Sequence, residues 1–457
     1  MNNLLELVKS INSVLWGPPM LILLTGTGIL MTIRLKAVQI RKIPVAYKQT
    51  FGGLFSKEKT DGVSSFASLA TAIAAQVGTG SLAGVATAIA AGGPGAVFWM
   101  WVSSFFGMAT IFSEAVVSQE FTEEKNGHRY GGPAFYIKKG IKNEKLGKFL
   151  SCFFALAIVL ALGIMGNIVQ ANSIAAAVNS AFNVPKVATG IAVSLFVMTI
   201  VVGGVSRITS LAEKIIPIMA SFYILGALYI VLLNFTQIDN AFISIFKHAF
   251  SPVAAAGGFA GAAVQQAIQK GIARGLFSNE AGMGSTPHAH ALANVDHPVQ
   301  QGLVATIGVM VSTIICTMTS LVILTTGVLE SGLDGAELTQ AAFTTGFGGF
   351  GAIFIAICVS LFALTTIVGW YFFGETNIKY LFDTNGIKIY RAVVGVLLIV
   401  GSTLKVELVW EMADMFNALM VIPNLIGLLA LSGLVVKILK DYDEKFSKNL
   451  PSEYTKK

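Results

Sequence analysis

Eleven predominantly apolar runs recur along the chain, near 15–33, 64–91, 94–119, 149–181, 187–205, 211–234, 258–285, 298–327, 349–377, 389–403 and 407–436. A helix that crosses a bilayer needs roughly 20 mostly apolar residues, and lipid admits only backbones that satisfy their own hydrogen bonds. The expected fold is therefore an all-α polytopic membrane protein of about 11 transmembrane helices. Outer-membrane barrels would instead alternate in polarity over segments of about 10 residues, and no such alternation appears. The charged fraction agrees, at 12% against about 25% in soluble domains. Cys152, Cys316 and Cys358 all lie in apolar runs and make neither a CxxC pair nor a disulfide framework. The first run reads as a retained helix rather than a cleaved leader, because only Lys9 precedes it and its far flank is basic.

Charge tests the count. With the N-terminus outside and each run crossing once, the inward loops are 34–63, 120–148, 206–214, 286–297, 378–391 and the tail after Val436. These hold 25 Lys and Arg, the outward segments hold four (Lys9, Lys186, Lys247 and Lys405), and Lys270 and Arg274 lie within a run. Cytoplasmic loops are enriched in Lys and Arg, so this distribution predicts a plasma-membrane protein with its C-terminus cytoplasmic. The net charge of +7 then reflects topology rather than nucleic-acid binding.

Two runs are rich in helix breakers. The second carries Gly78-Thr79-Gly80-Ser81-Leu82-Ala83-Gly84, and the seventh carries Gly271, Gly275, Gly282 and Gly284 around Phe277-Ser278-Asn279-Glu280. Each interior glycine costs a helix about 1 kcal/mol relative to alanine. Close packing explains many glycines, but not the hydroxyl, amide and acidic groups gathered here. With the first run set aside, ten remain and divide into two fives, and each break falls in the first helix of its five. The expected organisation is an extra N-terminal helix and basic segment over 1–63, a five-helix repeat over 64–234, and an outer loop with an inverted repeat over 235–436. A cytoplasmic tail follows over 437–457. Matching broken helices point to a transporter's binding site. Half-helix N-termini favour a carboxylate, and freed carbonyls favour a cation or ammonium group.

The stretch Gly92-Gly93-Pro94-Gly95-Ala96-Val97-Phe98-Trp99-Met100-Trp101-Val102-Ser103-Ser104-Phe105-Phe106-Gly107 resembles the signature of the sodium:alanine (alanine or glycine:cation) symporter family. Gln76-Val77-Gly78-Thr79-Gly80-Ser81 and Gly275-Leu276-Phe277-Ser278-Asn279-Glu280-Ala281-Gly282 are similar to that family's core. The resemblance implies a leucine-transporter-like fold and Na⁺- or H⁺-coupled import of alanine or glycine. It implies that backbone N–H groups at Thr79 and Gly80 hold the substrate carboxylate, with Ala75, Gln76, Gln170, Phe277, Ser278, Thr366 and Trp370 completing the substrate site. It places Na⁺ between the carbonyls of Ala74, Val77 and Phe362 and the hydroxyls of Thr365 and Thr366. The absence of an acidic residue at the first break favours Na⁺ there over a carboxylate-bound proton. No other cofactor is implied.

Other polar groups in apolar runs have competing readings. Gln170, Asn167 and Asn172 suit interhelical hydrogen bonds, with substrate contact an equal reading for Gln170. Phe277 and Trp370 suit a pocket lid or plain packing. Glu280, Lys270, Arg274, Glu411 and Asp414 suit a gate or structural ion pairs, since intramembrane charges are functional by default. His288, His290 and His297 lack the cysteines of a zinc site. An enzyme is not expected, because neither an HExxH pair nor a nucleophile–base arrangement appears. A proton-coupled symporter, a sensor of the same fold and a channel stay open; a channel would more commonly use symmetric rings of ligands.

Overall fold

The computed structural model describes residues 2–52, 63–125, 128–250, 260–404 and 406–446. Lys405, the 53–62 part of the first inward loop, the start of the seventh run and the tail from 447 lie outside them. The architecture is almost wholly helical, as bilayer burial of the backbone demands. The principal helices are α1 (Asn2–Leu15), α2 (Pro18–Arg34), α3 (Ser65–Gln76), α4 (Ala83–Gly92), α5 (Gly95–Glu120), α6 (Glu144–Ile158) and α7 (Asn167–Phe182). They continue with α8 (Lys186–Val201), α9 (Val205–Leu233), α10 (Ala260–Asn279), α11 (Pro298–Thr326), α12 (Phe350–Phe382), α13 (Ile387–Gly401) and α14 (Val406–Phe446).

Among the described residues, six helical stretches are long and apolar enough to cross a membrane, and eight if each of two bent pairs counts as one span. The runs at 349–377 and 389–403 fall in one stretch, Phe350–Gly401, and the run at 187–205 is the shorter helix Lys186–Val201. A π-helical turn over Val159–Gly166 joins α6 to α7, giving the single stretch Glu144–Phe182. Two elements escape hydropathy. Helix α1 precedes the first apolar run and meets α2 at 45°. A two-stranded hairpin pairs Glu123–Lys125 with His128–Tyr130.

Local chemistry fixes the element ends. The Ser64 side chain accepts from the Ala67 N–H and caps α3, while His297 and Gln300 form a reciprocal capping box at α11. Prolines inside α9 (Pro217) and α14 (Pro423) persist, because neighbouring helices can satisfy the freed backbone. The core lies where α3 packs against α9, α11 and α12, and where α5 packs against α10 and α11. Both glycine breaks meet in that core.

Candidate functional site

Helix α3 stops at Gln76, and the chain turns by 60° through a 3₁₀ turn at Thr79–Ser81 before α4 begins. The glycines permit close approach. A Cβ on Gly78 would stand 2.6 Å from Thr366 Oγ1, and one on Gly80 would stand 2.8 Å from the Phe277 ring. The unwound backbone is thus pressed between α12 and the end of α10. The Thr79 N–H donates to Gln170 Oε1 at 3.2 Å. Buried polar atoms normally have partners, yet Thr79 Oγ1, Gln170 Nε2 and Gln76 Oε1 have none.

Of the predicted cation ligands, the Ala74 and Phe362 carbonyls meet at Thr366. Its hydroxyl donates to the Ala74 carbonyl at 2.7 Å and lies 2.9 Å from the Phe362 carbonyl. Val77 caps α3 within the break. Thr365 is placed differently: its hydroxyl bonds the Phe362 carbonyl at 2.9 Å and points toward Met219 Sδ, 3.7 Å away on α9.

Among the predicted substrate residues, Phe277 covers Gly80 and meets Trp370 edge-on, with ring centroids 5.8 Å apart. Phe277 does not lie inside a break. Helix α10 runs unbroken to Asn279, and the irregular stretch is Glu280–Thr286, with positive φ at Glu280, Gly282 and Gly284. Gly271 and Gly275 instead let α10 pack tightly on α5, against Ala96, Trp99, Met100 and Ser103. Ala75 is buried against Gly369. Gln76 reaches the Asn279 carbonyl at 2.9 Å, linking the two breaks. Ser278 joins a buried hydroxyl cluster with Ser81 at 2.8 Å and Ser312 at 3.0 Å. Asn172 makes an interhelical bond to the Gly401 carbonyl, while Asn167 bonds back within its own helix to Gly163.

The second break is held by carboxylates. Glu114 on α5, fully buried, accepts from the N–H groups of Gly282 (3.2 Å) and Gly284 (3.1 Å) and from Asn424 Nδ2 (2.5 Å). Asn424 also donates to the Gly282 carbonyl and accepts from Tyr136 Oη. Glu280 accepts from Trp370 Nε1 at 2.6 Å and Ser285 Oγ at 2.5 Å. The sequence reading missed Glu114, whose signal was an acidic residue inside the apolar run 94–119. Arg274 forms a two-pronged pair with Asp414 at 2.9 and 2.7 Å, stacked over Trp410 and facing Phe277. Glu411 accepts from Asn12 Nδ2 instead.

The three histidines belong to separate networks. His288 bonds Ser285 and Asn377, His290 bonds Gln301, and His297 pairs with Asp441. Burial pushes His288 down to about 4 and His290 to about 3, so neither imidazole supplies positive charge near neutral pH.

The profile of the sodium:alanine symporter family matches residues 1–456. The sodium/alanine symporter of Methanococcus maripaludis is 44% identical over 445 residues, covering 96% of this chain and 97% of that one. The probable sodium/glutamine symporter of Bacillus subtilis is 40% identical over 447 residues, covering 97% and 91%. Among solved structures, a manganese transporter of Eremococcus coleocola matches the fold with a TM-score of 0.54 at 12% identity, covering 85% of this chain and 88% of that one.

Proposed function

The chain belongs to the sodium:alanine symporter family, a multi-pass membrane transporter and not an enzyme, and we propose that it imports small neutral amino acids, alanine or glycine, together with Na⁺ by alternating access. The observation that carries this reading is the first break. It presents an unwound backbone beside orphaned polar atoms and, within one turn of them, an oxygen-only cluster around Thr366. A carboxylate entering the break would take the Thr79 N–H from Gln170 and find the idle Gln170 Nε2 and Thr79 Oγ1 as donors. Phe277 and Trp370 close over the side chain, which favours small ones. Hard cations prefer oxygen ligands, and Ala74, Val77, Phe362, Thr365 and Thr366 offer only those. Thr365 joins them once its hydroxyl turns from the Phe362 carbonyl. Ala75, Gln76 and Ser278 then serve as the wall behind the substrate.

In this reading the ten helices after the N-terminal one form two inverted fives, over 64–234 and 258–436, within an eleven-span chain whose N-terminus lies outside. The positive-inside bias of the loops supports that orientation. Both ligands stabilise the closed state, so substrate without cation shifts the equilibrium little. The test is labelled-alanine uptake into proteoliposomes with and without an inward Na⁺ gradient. Accumulation above equilibrium that requires Na⁺ is expected. Accumulation driven by a proton gradient alone would refute the Na⁺ assignment, and binding without accumulation would refute transport.

A further inference from the structure

We propose that Glu280 is the counter-charge of the coupling cation without being its ligand, and that it carries a proton whenever the cation site is empty, so that Na⁺ and H⁺ compete. This rests on the Na⁺ reading above and assigns a second, protonic site to the same pocket.

Among the described residues, no positive group pairs with the Glu280 carboxylate. From α5 it faces Glu114, another acid. On the preceding helix α10, Arg274 is engaged by both oxygens of Asp414, and Lys270 lies nearly three turns before Glu280. On α12, Glu375 is paired with Lys379 at 2.7 Å. His288 is tied to the Ser285 carbonyl and to Asn377, and Tyr136, on the helix Pro133–Gly140, donates to Asn424. An isolated buried carboxylate costs several kcal/mol or more unless a cation approaches or a proton binds.

The two acids differ in what surrounds them. All three partners of Glu114 are N–H donors, two peptide and one amide. Such groups can only donate, so their contacts favour the charged form. Glu280 has one N–H partner, Trp370, and one hydroxyl, Ser285. A hydroxyl can turn from donor to acceptor. Glu280 can therefore be charged or neutral without losing a contact.

The cation cluster and the residue that holds Glu280 share one helix. Thr366 and Trp370 stand one helical turn apart on α12, about 6 Å along the axis, and Trp370 holds the carboxylate directly. Na⁺ at Thr366 stabilises the Glu280 anion, and the proton leaves to solvent as Na⁺ enters: carboxylic acid plus Na⁺ gives carboxylate, bound Na⁺ and H⁺. The coupling is reciprocal, so acid weakens Na⁺ binding.

The test uses the purified full chain and Na⁺ alone, read by intrinsic tryptophan fluorescence from about pH 5.5 to about pH 8.5. Below the apparent pKa of Glu280, half-saturating Na⁺ is expected to rise about tenfold per pH unit, and Glu280→Gln should make it independent of pH. As an independent measurement on the unaltered protein, Na⁺ added in weak buffer should release protons to a pH-sensitive dye, while choline should not. A pH-independent Na⁺ response, a Glu280→Gln protein that keeps the pH dependence, or Na⁺ binding without proton release would each overturn the proposal and leave the Na⁺ site standing. No Na⁺ response at any pH would instead sink the cation reading itself.

Discussion

The two broken helices differ in how their freed backbone is satisfied. Among the described residues, no acidic side chain is hydrogen-bonded to Val77–Leu82, and buried atoms of Thr79 and Gln170 are left without partners. At Glu280–Thr286 the protein itself takes up backbone groups, through Glu114, Asn424 and Asn279, and of its side chains the Thr286 hydroxyl alone is left without a partner among the described residues. On the proposed reading, the break whose backbone the protein satisfies serves as a joint, and the one left less satisfied serves as the receptor. Unwinding alone therefore does not mark a ligand site; the unspent hydrogen-bonding capacity does.

That contrast can be broken by filling the first break. Gly80→Leu would drive side-chain carbon into the Phe277 ring, which already sits within 3.3 Å of even a bare Cβ. The expected result is loss of alanine exchange by at least about 100-fold, a barrier of some 2.7 kcal/mol. Folding, judged by the melting curve, should change far less; retained exchange would show that the substrate lies elsewhere. The second break should answer in the opposite currency. Glu114→Ala strands two peptide N–H groups and the Asn424 amide, so a stability loss of about 3–5 kcal/mol is expected. It should appear as a fall in melting temperature with or without alanine. Smaller than either is Thr366→Ala, which removes one hydroxyl from the cation cluster. Half-saturating Na⁺ in uptake should rise about tenfold, near 1.4 kcal/mol, with alanine affinity at saturating Na⁺ little changed.

The membrane class, the family and the first break were legible in the sequence because each has a one-dimensional signature. Apolar length marks helices, and glycine beside hydroxyls in an apolar run marks the break at Gly78–Gly80. What was not legible depends on three-dimensional partners. Gly271 and Gly275 looked like part of a break, yet they are contact points for α5, and the true irregular stretch begins only at Glu280. Sequence cannot distinguish a glycine used for packing from one used for unwinding. Glu114 was hidden for a related reason: its role comes from N–H groups 168 and 170 residues away. Helix α1 was missed because its apolar residues form a stripe rather than a run; Leu4, Leu7, Ile11 and Val14 stay exposed, while Asn12 and the following Trp16 bond to α14.

The finest test of the contrast is at Gln170, which bridges the receptor break without being part of it. Its Oε1 holds the Thr79 N–H while its Nε2 has no partner. If this amide is a placeholder for the substrate carboxylate, Gln170→Ala has two opposing effects: it frees the N–H and removes a donor. The net loss in alanine affinity should then be modest, about three- to tenfold, within the 0.5–1.5 kcal/mol of a typical hydrogen bond. Gln170→Glu separates the readings. A carboxylate there cannot donate, and it repels the substrate's own carboxylate, so affinity should fall further than in Gln170→Ala even though Thr79 keeps its acceptor. A purely structural Gln170 predicts the reverse order, because glutamate preserves the Thr79 bond and alanine does not. Competition by unlabelled alanine in equilibrium exchange measures the order directly, and melting temperatures of the two variants show whether stability follows it.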